Sequence, residues 1–197
     1  GNISWNNIRY DAEGKYTGDV GHGTHVAGII AAVNNNGEGI SSIAGGSGNG
    51  DGVRIMSVQI FQENTGIADA RIAAGIEYAA DMGAAILQCS WGMPVMWISD
   101  GGYENNTGKL YIEAIKYFVE CSDNGVMDGG VAIFAAGNES LMYACYPGAY
   151  NEFISVTAIA ADGLPTGYTN YHYGCNIAAP GGDYEYVDGV LNPYGAI

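Results

Sequence analysis

The sequence predicts an α/β fold, a three-layer sandwich around a mostly parallel sheet. Two observations carry that expectation. Short apolar runs of strand length alternate with segments of helical periodicity. Polar or glycine-rich tripeptides then follow two of those runs, where a parallel sheet presents its working edge. The order strand, helix, strand, helix, strand implies right-handed crossovers and a sheet covered on both faces. At 197 residues, 48% of them hydrophobic, the chain has the length of one domain, with no internal repeat and no dividing linker.

Residues 1–20 are polar, with Trp5 and Tyr10 among Asn, Asp and Gly, and show no regular period, so they read as a surface loop. From His22, apolar residues at Val26, Ile29, Ile30 and Val33 predict a short helix that ends in the segment Asn34 to Gly39. Glycine, at 32 residues, gathers in places such as Gly45 to Gly52, which reads as a loop. Val53 to Ile60 alternates like a strand. Ile67 to Met82 repeats Ile72, Ile76 and Ala79, a helix with Gly83 as its stop. Ala84 to Cys89, Val131 to Ala136 and Phe153 to Ala158 fit buried parallel strands, and Leu110 to Cys121 is an amphipathic helix.

Twenty-one acidic residues against six basic ones give a formal charge of −15. That balance argues against nucleic-acid binding, since phosphate contacts need clustered Lys and Arg. No run approaches the ~20 apolar residues of a membrane span, and residues 1–4 lack the basic and apolar regions of a signal peptide. Cys89, Cys121, Cys145 and Cys175 are widely spaced with no CxxC pair, so a zinc site or a thioredoxin-like motif is unsupported. They read as free buried thiols, with a Cys145 to Cys175 bridge as the alternative.

Gly21-His22-Gly23-Thr24-His25-Val26-Ala27-Gly28 sets a histidine between glycines at a helix start. The imidazole is exposed there, and glycine lets a substrate backbone come close. A zincin would have glutamate where Gly23 stands, and a dinucleotide fingerprint would have glycine or alanine where Val26 stands. The motif resembles the histidine motif of the subtilase family. The resemblance implies that His22 is the general base that takes the proton from a serine hydroxyl.

Phe134-Ala135-Ala136-Gly137-Asn138-Glu139 resembles a second signature of that family, a buried strand ending in AAGN whose asparagine amide donates to the oxyanion. Gln88-Cys89-Ser90-Trp91-Gly92 is similar to the strand end that holds extended substrate by its backbone, so Ser90, Trp91 and Gly92 are implied as substrate contacts and Ser90 is not the nucleophile. Cys145-Tyr146-Pro147-Gly148 resembles the turn that walls the primary specificity pocket, which Ala135, Ala136, Gly137 and Cys145 would shape. Tyr168 to Tyr171 and Ile177 to Gly182 resemble segments that precede the nucleophile, so the match runs from about Asp19 to Gly182. It implies a subtilisin-like fold, a serine endopeptidase, a peptide or protein substrate and a secreted or cell-envelope location. No cofactor is required. Structural calcium is an option after the histidine helix, where Asn35 and the carbonyls around Gly37 are candidates and no ligand set is assigned.

The family's chain order is aspartate, histidine, serine, and the resemblance is incomplete at both ends. Of the aspartates before His22, Asp11 and Asp19, neither ends an apolar strand nor precedes Ser/Thr-Gly; Asp19 reads as a local partner of the histidine loop. The nucleophile motif G-T-S-M-A expected beyond Gly182 does not occur before Ile197. The chain alone is therefore expected to be an inactive segment of a longer protease, a partial peptidase domain over residues 1–197. The alternative is a non-catalytic module binding extended peptides along Ser90 to Gly92. In the family the aspartate strand lies inside the sheet, beside the strand matching Val53 to Ile60. Its absence leaves backbone groups unpaired, so the chain is expected to be stable only when a second chain, a swapped copy or a rearrangement supplies the missing pieces.

Overall fold

The helical periods expected at residues 67–82 and 110–121 each have a buried stripe to match, and the three apolar runs expected as buried strands form strands. The computed structural model describes residues 21–60, 69–94, 108–187 and 190–194. Residues 1–20, including Asp11 and Asp19, lie outside the described residues. The chain divides into two compact units, residues 1–66 and 67–197.

In the first unit, α1 (His22–Ala31) starts after Gly21 as its N-cap. A helix leaves its last carbonyls without intrahelical partners. Here the following loop supplies them: Ile43 and Ala44 donate their N–H groups to the Ile29 and Ile30 carbonyls at 3.0 and 2.9 Å, and Ser42 Oγ donates to the Ala32 carbonyl at 2.6 Å. A β-carbon on Gly45 would overlap the Ala32 carbonyl, so the glycine-rich stretch is a packing surface for the helix end as well as a turn. The segment Val53 to Ile60, expected as a strand, differs from that expectation. Its Val53 N–H reaches the Ala44 carbonyl at 2.9 Å, but the segment forms no strand among the described residues, and Val53, Ile55 and Met56 are exposed. An alternating pattern makes a strand only where a neighbouring edge accepts its hydrogen bonds.

The second unit holds α2 (Asp69–Asp81), β1 (Ile86–Cys89), α3 (Gly108–Cys121), β2 (Val131–Ala135), β3 (Ile154–Ile159), β4 (Ile177–Pro180), β5 (Asp183–Val187) and β6 (Val190–Tyr194). Ile72, Ile76 and Ala79 of α2 and Tyr111, Ile115 and Phe118 of α3 are buried at the three-to-four residue spacing of a helix face. The two helices pack on each other, and α3 packs on β2. At the end of α2, Met82 and Gly83 donate back to the Tyr78 and Ala80 carbonyls, and Ser122 Oγ donates to the Ala84 carbonyl at 2.6 Å.

β1, β2, β3 and β4 form a parallel sheet in that order, with Cys89 opposite Phe134, Ala135 opposite Val156 and Ala158 opposite Ala179. The α/β class with a mostly parallel sheet is thus observed. An antiparallel hairpin of β5 and β6 follows, with Val187 opposite Val190. It was not expected, although Asp188-Gly189 between the paired valines is a two-residue hairpin signal.

A chain of ring contacts underlies the sheet: Trp91 meets Phe134 edge-on at 5.7 Å, and Phe134 meets Phe153 at 5.7 Å. Ser155 sits in β3 fully buried, and its hydroxyl has no hydrogen-bond partner among the described residues. An orphaned buried hydroxyl costs about 1–3 kcal/mol. Ser155→Ala is therefore expected to leave stability unchanged or raise it by up to ~1 kcal/mol in chemical denaturation, and a clear loss would show a partner that the fold conceals.

Candidate active site

The carboxyl ends of β1 and β2 bring most of the expected substrate-contact residues together in the second unit. Beyond β1, Ser90 Oγ accepts a hydrogen bond from Gln88 Nε2 at 2.7 Å, and Trp91 turns its ring against Tyr111 at 5.9 Å and Phe134. Gly92 passes so close to Cys145 that a β-carbon there would stand 2.7 Å from the cysteine Cβ. Met93 and Tyr146 then exchange backbone hydrogen bonds at 2.7 and 3.0 Å. The 90–93 segment and the Cys145 to Gly148 turn, whose Tyr146–Pro147 bond is cis, therefore form one wall.

β2 ends at Ala135. Ala136 donates to the Val156 carbonyl at 2.8 Å, and its own carbonyl accepts from Cys145 N at 2.7 Å and from Asn170 Nδ2 at 3.1 Å. Gly137 holds φ of +117°, and a β-carbon there would lie at once against Asn170 Nδ2, Glu139 Oε2 and Cys145 Sγ. Only glycine fits a backbone turned that way in a space that three polar atoms already occupy. The result is an exposed Asn138 whose side-chain amide makes no hydrogen bond among the described residues, while its backbone N–H donates to Glu139 Oε2 at 3.0 Å.

Cys145 is buried, with Sγ 3.4 Å from Glu139 Oε2 and 3.6 Å from Asn170 Nδ2. Burial, then the charge and hydrogen bond of Glu139, push its thiol up from 9.0 to about 12. Burial does the same to Cys89, lifting it to about 12 against a smaller opposing hydrogen bond with Trp91. All four cysteines are free thiols; Cys121 is exposed and Cys175 half-buried, so the expectation of uniformly buried thiols is corrected for those two. Cys121 ends a helix on its exposed side, and Cys175 stands in a surface turn.

Two consequences follow for measurement. Because thiolate is the reactive form, iodoacetamide at pH 8 is expected to label Cys121 first and to spare Cys89 and Cys145. Glu139→Gln, which removes the facing charge, is expected to lower the Cys145 pKa and speed its labelling at least about threefold; an unchanged rate would separate the two groups. The raised thiols also set a sign for alkaline stability. Their contribution is complete below the ordinary value of 9.0 and is lost as pH rises toward about 12, because the unfolded thiols ionise first.

His22 is the first residue of α1 in the other unit, exposed, with the half-buried Val26 one turn on. Asn35, beside the candidate calcium loop, holds φ of 60°. The neighbouring carboxamide oxygens are engaged: Asn34 Oδ1 accepts from Ser41 Oγ and Ser42 N, and Asn36 Oδ1 from Glu38 N. Among the described residues no group of three or more His, Cys, Asp or Glu side chains stands together. No helix among the described residues is long and apolar enough to cross a membrane.

The model of the subtilase family, peptidase S8, matches residues 1–195. The chain belongs to the subtilase family. This subtilase is 31% identical to thermitase of Thermoactinomyces vulgaris over 161 residues, which is 82% of the chain and 49% of thermitase. It is 33% identical to the cell wall-associated protease of Bacillus subtilis over 166 residues, 84% of the chain and 16% of that protein. Among solved structures, a protease of Pseudoalteromonas arctica covers 92% of the chain with a TM-score of 0.63 at 25% identity, the chain covering 50% of it. The protease domain of PatA covers 89% with a TM-score of 0.60 at 26% identity, the chain covering 58% of it. The subtilase thus spans about half the length of thermitase and less of the cell wall-associated protease.

Glu139 and Asn170 are the two site residues that the motif reading did not single out. The carboxylate stands directly after the asparagine motif and Asn170 within the Tyr168 to Tyr171 segment, so both lay inside stretches already marked. What ties them to the site is a set of contacts across 31 residues of chain, which no local pattern displays.

Proposed function

We propose that this subtilase is part of a serine endopeptidase acting by acyl transfer, and that it supplies the base and the side-chain oxyanion donor. The observation that carries the reading is Asn138. It stands exposed at the carboxyl end of a parallel strand, with its amide uncommitted among the described residues and its flanks fixed by hydrogen bonds to the buried Asn170. A neutral carboxamide can meet a developing oxyanion with no change of charge. His22 takes the proton of the attacking serine and returns it to the leaving amine. The backbone of Ser90 to Gly92 holds extended substrate as an added strand, and Ala135, Ala136, Gly137 and Cys145 shape the first pocket. By the family resemblance, further segments or a second copy complete the sheet. Peptides and proteins are the substrates, and the location is secreted or at the cell envelope, as the name of the cell wall-associated relative suggests.

A fluorophosphonate probe tests this reading, because it marks an activated serine. The chain of 197 residues holds no G-T-S-M-A segment, so it is expected to stay unlabelled, while the full-length protein is expected to label at one serine per molecule. Stoichiometric labelling of the chain alone would contradict the assignment. A full-length protein that neither labels nor hydrolyses peptides, yet binds them, would establish the non-catalytic module instead.

A further inference from the structure

We propose that Asn170 is the positioning residue of the oxyanion loop, a clamp whose one carboxamide sets where the Asn138 amide points; the proposal rests on the role given to Asn138 above. Asn170 is fully buried. Its Oδ1 accepts from Glu139 N at 3.0 Å and Leu141 N at 2.9 Å, and its Nδ2 donates to the Ala136 carbonyl at 3.1 Å and to Glu139 Oε2 at 2.8 Å. Its backbone N–H donates to the Gly137 carbonyl at 3.1 Å. One residue thus holds the chain at 136, 137, 139 and 141, on both sides of Asn138. Glu139 Oε2, held by the Asn170 amide, in turn accepts from the Asn138 backbone N–H.

Asn170 is itself fixed from behind. Thr157 Oγ1 in β3 donates to its carbonyl at 2.6 Å, and Thr169 Oγ1 to the same carbonyl at 3.2 Å. The clamp therefore ties the loop after β2 to the neighbouring strand of the sheet. The chemistry of the position admits asparagine specifically. A carboxamide has two acceptor lone pairs on one side and two donors on the other, and this loop uses all four. Aspartate has the same shape but would face the Ala136 carbonyl and the Glu139 carboxylate with a negative oxygen. An aliphatic side chain would remove four hydrogen bonds at once and leave the Glu139 and Leu141 N–H groups without this acceptor.

The test is a double-mutant cycle in the full-length protease with Asn138→Ala, Asn170→Asp and both together, following kcat and KM on a chromogenic peptide. Asn170→Asp is expected to lower kcat about 10- to 100-fold with KM within about threefold, the size of loss that a misplaced catalytic group produces. In the Asn138→Ala background the same change is expected to cost less than about threefold, since the amide it positions is gone. Equal losses in both backgrounds would show a general structural role and overturn the proposal. An Asn138→Ala protein with unaltered kcat would instead overturn the oxyanion reading itself, and the clamp with it. Should Asn170→Asp fail to fold, amide exchange in the unsubstituted protein decides. Glu139 and Leu141 N–H groups slower than unbonded loop amides by at least about 100-fold support the clamp, and exchange at loop rates refutes it.

Discussion

In the full-length protease, His22→Ala is expected to lower kcat by about 10⁶-fold with KM changed less than about threefold, a loss of the size known for the base in the prototype of this family. The expectation rests on the division of labour in the proposed mechanism. In that mechanism Ser90 to Gly92 and the Cys145 turn bind substrate in the ground state and the transition state alike, so removing the proton acceptor should leave KM nearly untouched. The serine hydroxyl, by contrast, loses the only group assigned to take its proton, and proton transfer is required in the rate-determining barrier. Activity is not expected to vanish, because oxyanion stabilisation and binding alone leave about 10³–10⁴-fold over water. Steady-state kinetics on a peptide amide, with circular dichroism to show an intact fold, is the check. A fall of less than about tenfold would mean that another group is the base.

Gly137→Ala is the second large effect, and it acts on stability and rate together. The residue holds φ of +117°, and its new β-carbon would enter the space of Asn170 Nδ2, Glu139 Oε2 and Cys145 Sγ. A backbone held outside the regions open to L residues costs about 1–3 kcal/mol, and overpacking a buried site costs another ~1–3 kcal/mol. Thermal unfolding should therefore shift downward by about 2–6 kcal/mol of stability. Relief is available only by moving the loop that carries Asn138, so kcat should fall as far as about 10²–10³-fold, the loss expected when the oxyanion donor is removed outright. A variant with native kcat and native stability would show that the loop at Gly137 is far softer than its contacts indicate.

Much of the fold was legible because the signals are local. Ile72, Ile76 and Ala79 repeat at helical spacing and are buried together, and Val131 to Ala135 reads as a strand from its β-branched, apolar run. Val53 to Ile60 shows the limit of that logic. Its alternation is as clear as any in the chain, yet strand formation needs a partner edge, and the segment forms no strand among the described residues. The β5 and β6 hairpin was overlooked for the opposite reason. Its Asp188-Gly189 signal is short and sits in a polar, aromatic stretch with no long apolar run to announce it.

The site divides in the same way. Gly21 to Gly28 and Ala135 to Asn138 are contiguous motifs, so His22 and Asn138 could be named from the sequence. The positions of Cys145 and Gly92 against each other, and the bonds from Asn170 to Glu139 and Leu141, depend on how β1, β2 and β3 align. Register between distant segments is not written in either segment alone. The depressed reactivity expected of Cys145 has the same origin, since it comes first from burial and then from the contact with Glu139.

The measurement that tests the central claim most directly is the kcat of Asn138→Ala in the full-length protein on a peptide substrate. Loss of the donor is predicted to lower kcat about 10²–10³-fold, or ~2.7–4 kcal/mol of transition-state stabilisation, with KM nearly unchanged; this magnitude is the one known for the oxyanion asparagine of the family's prototype. An unchanged kcat, in a protein whose fold and thermal stability are intact, would contradict it.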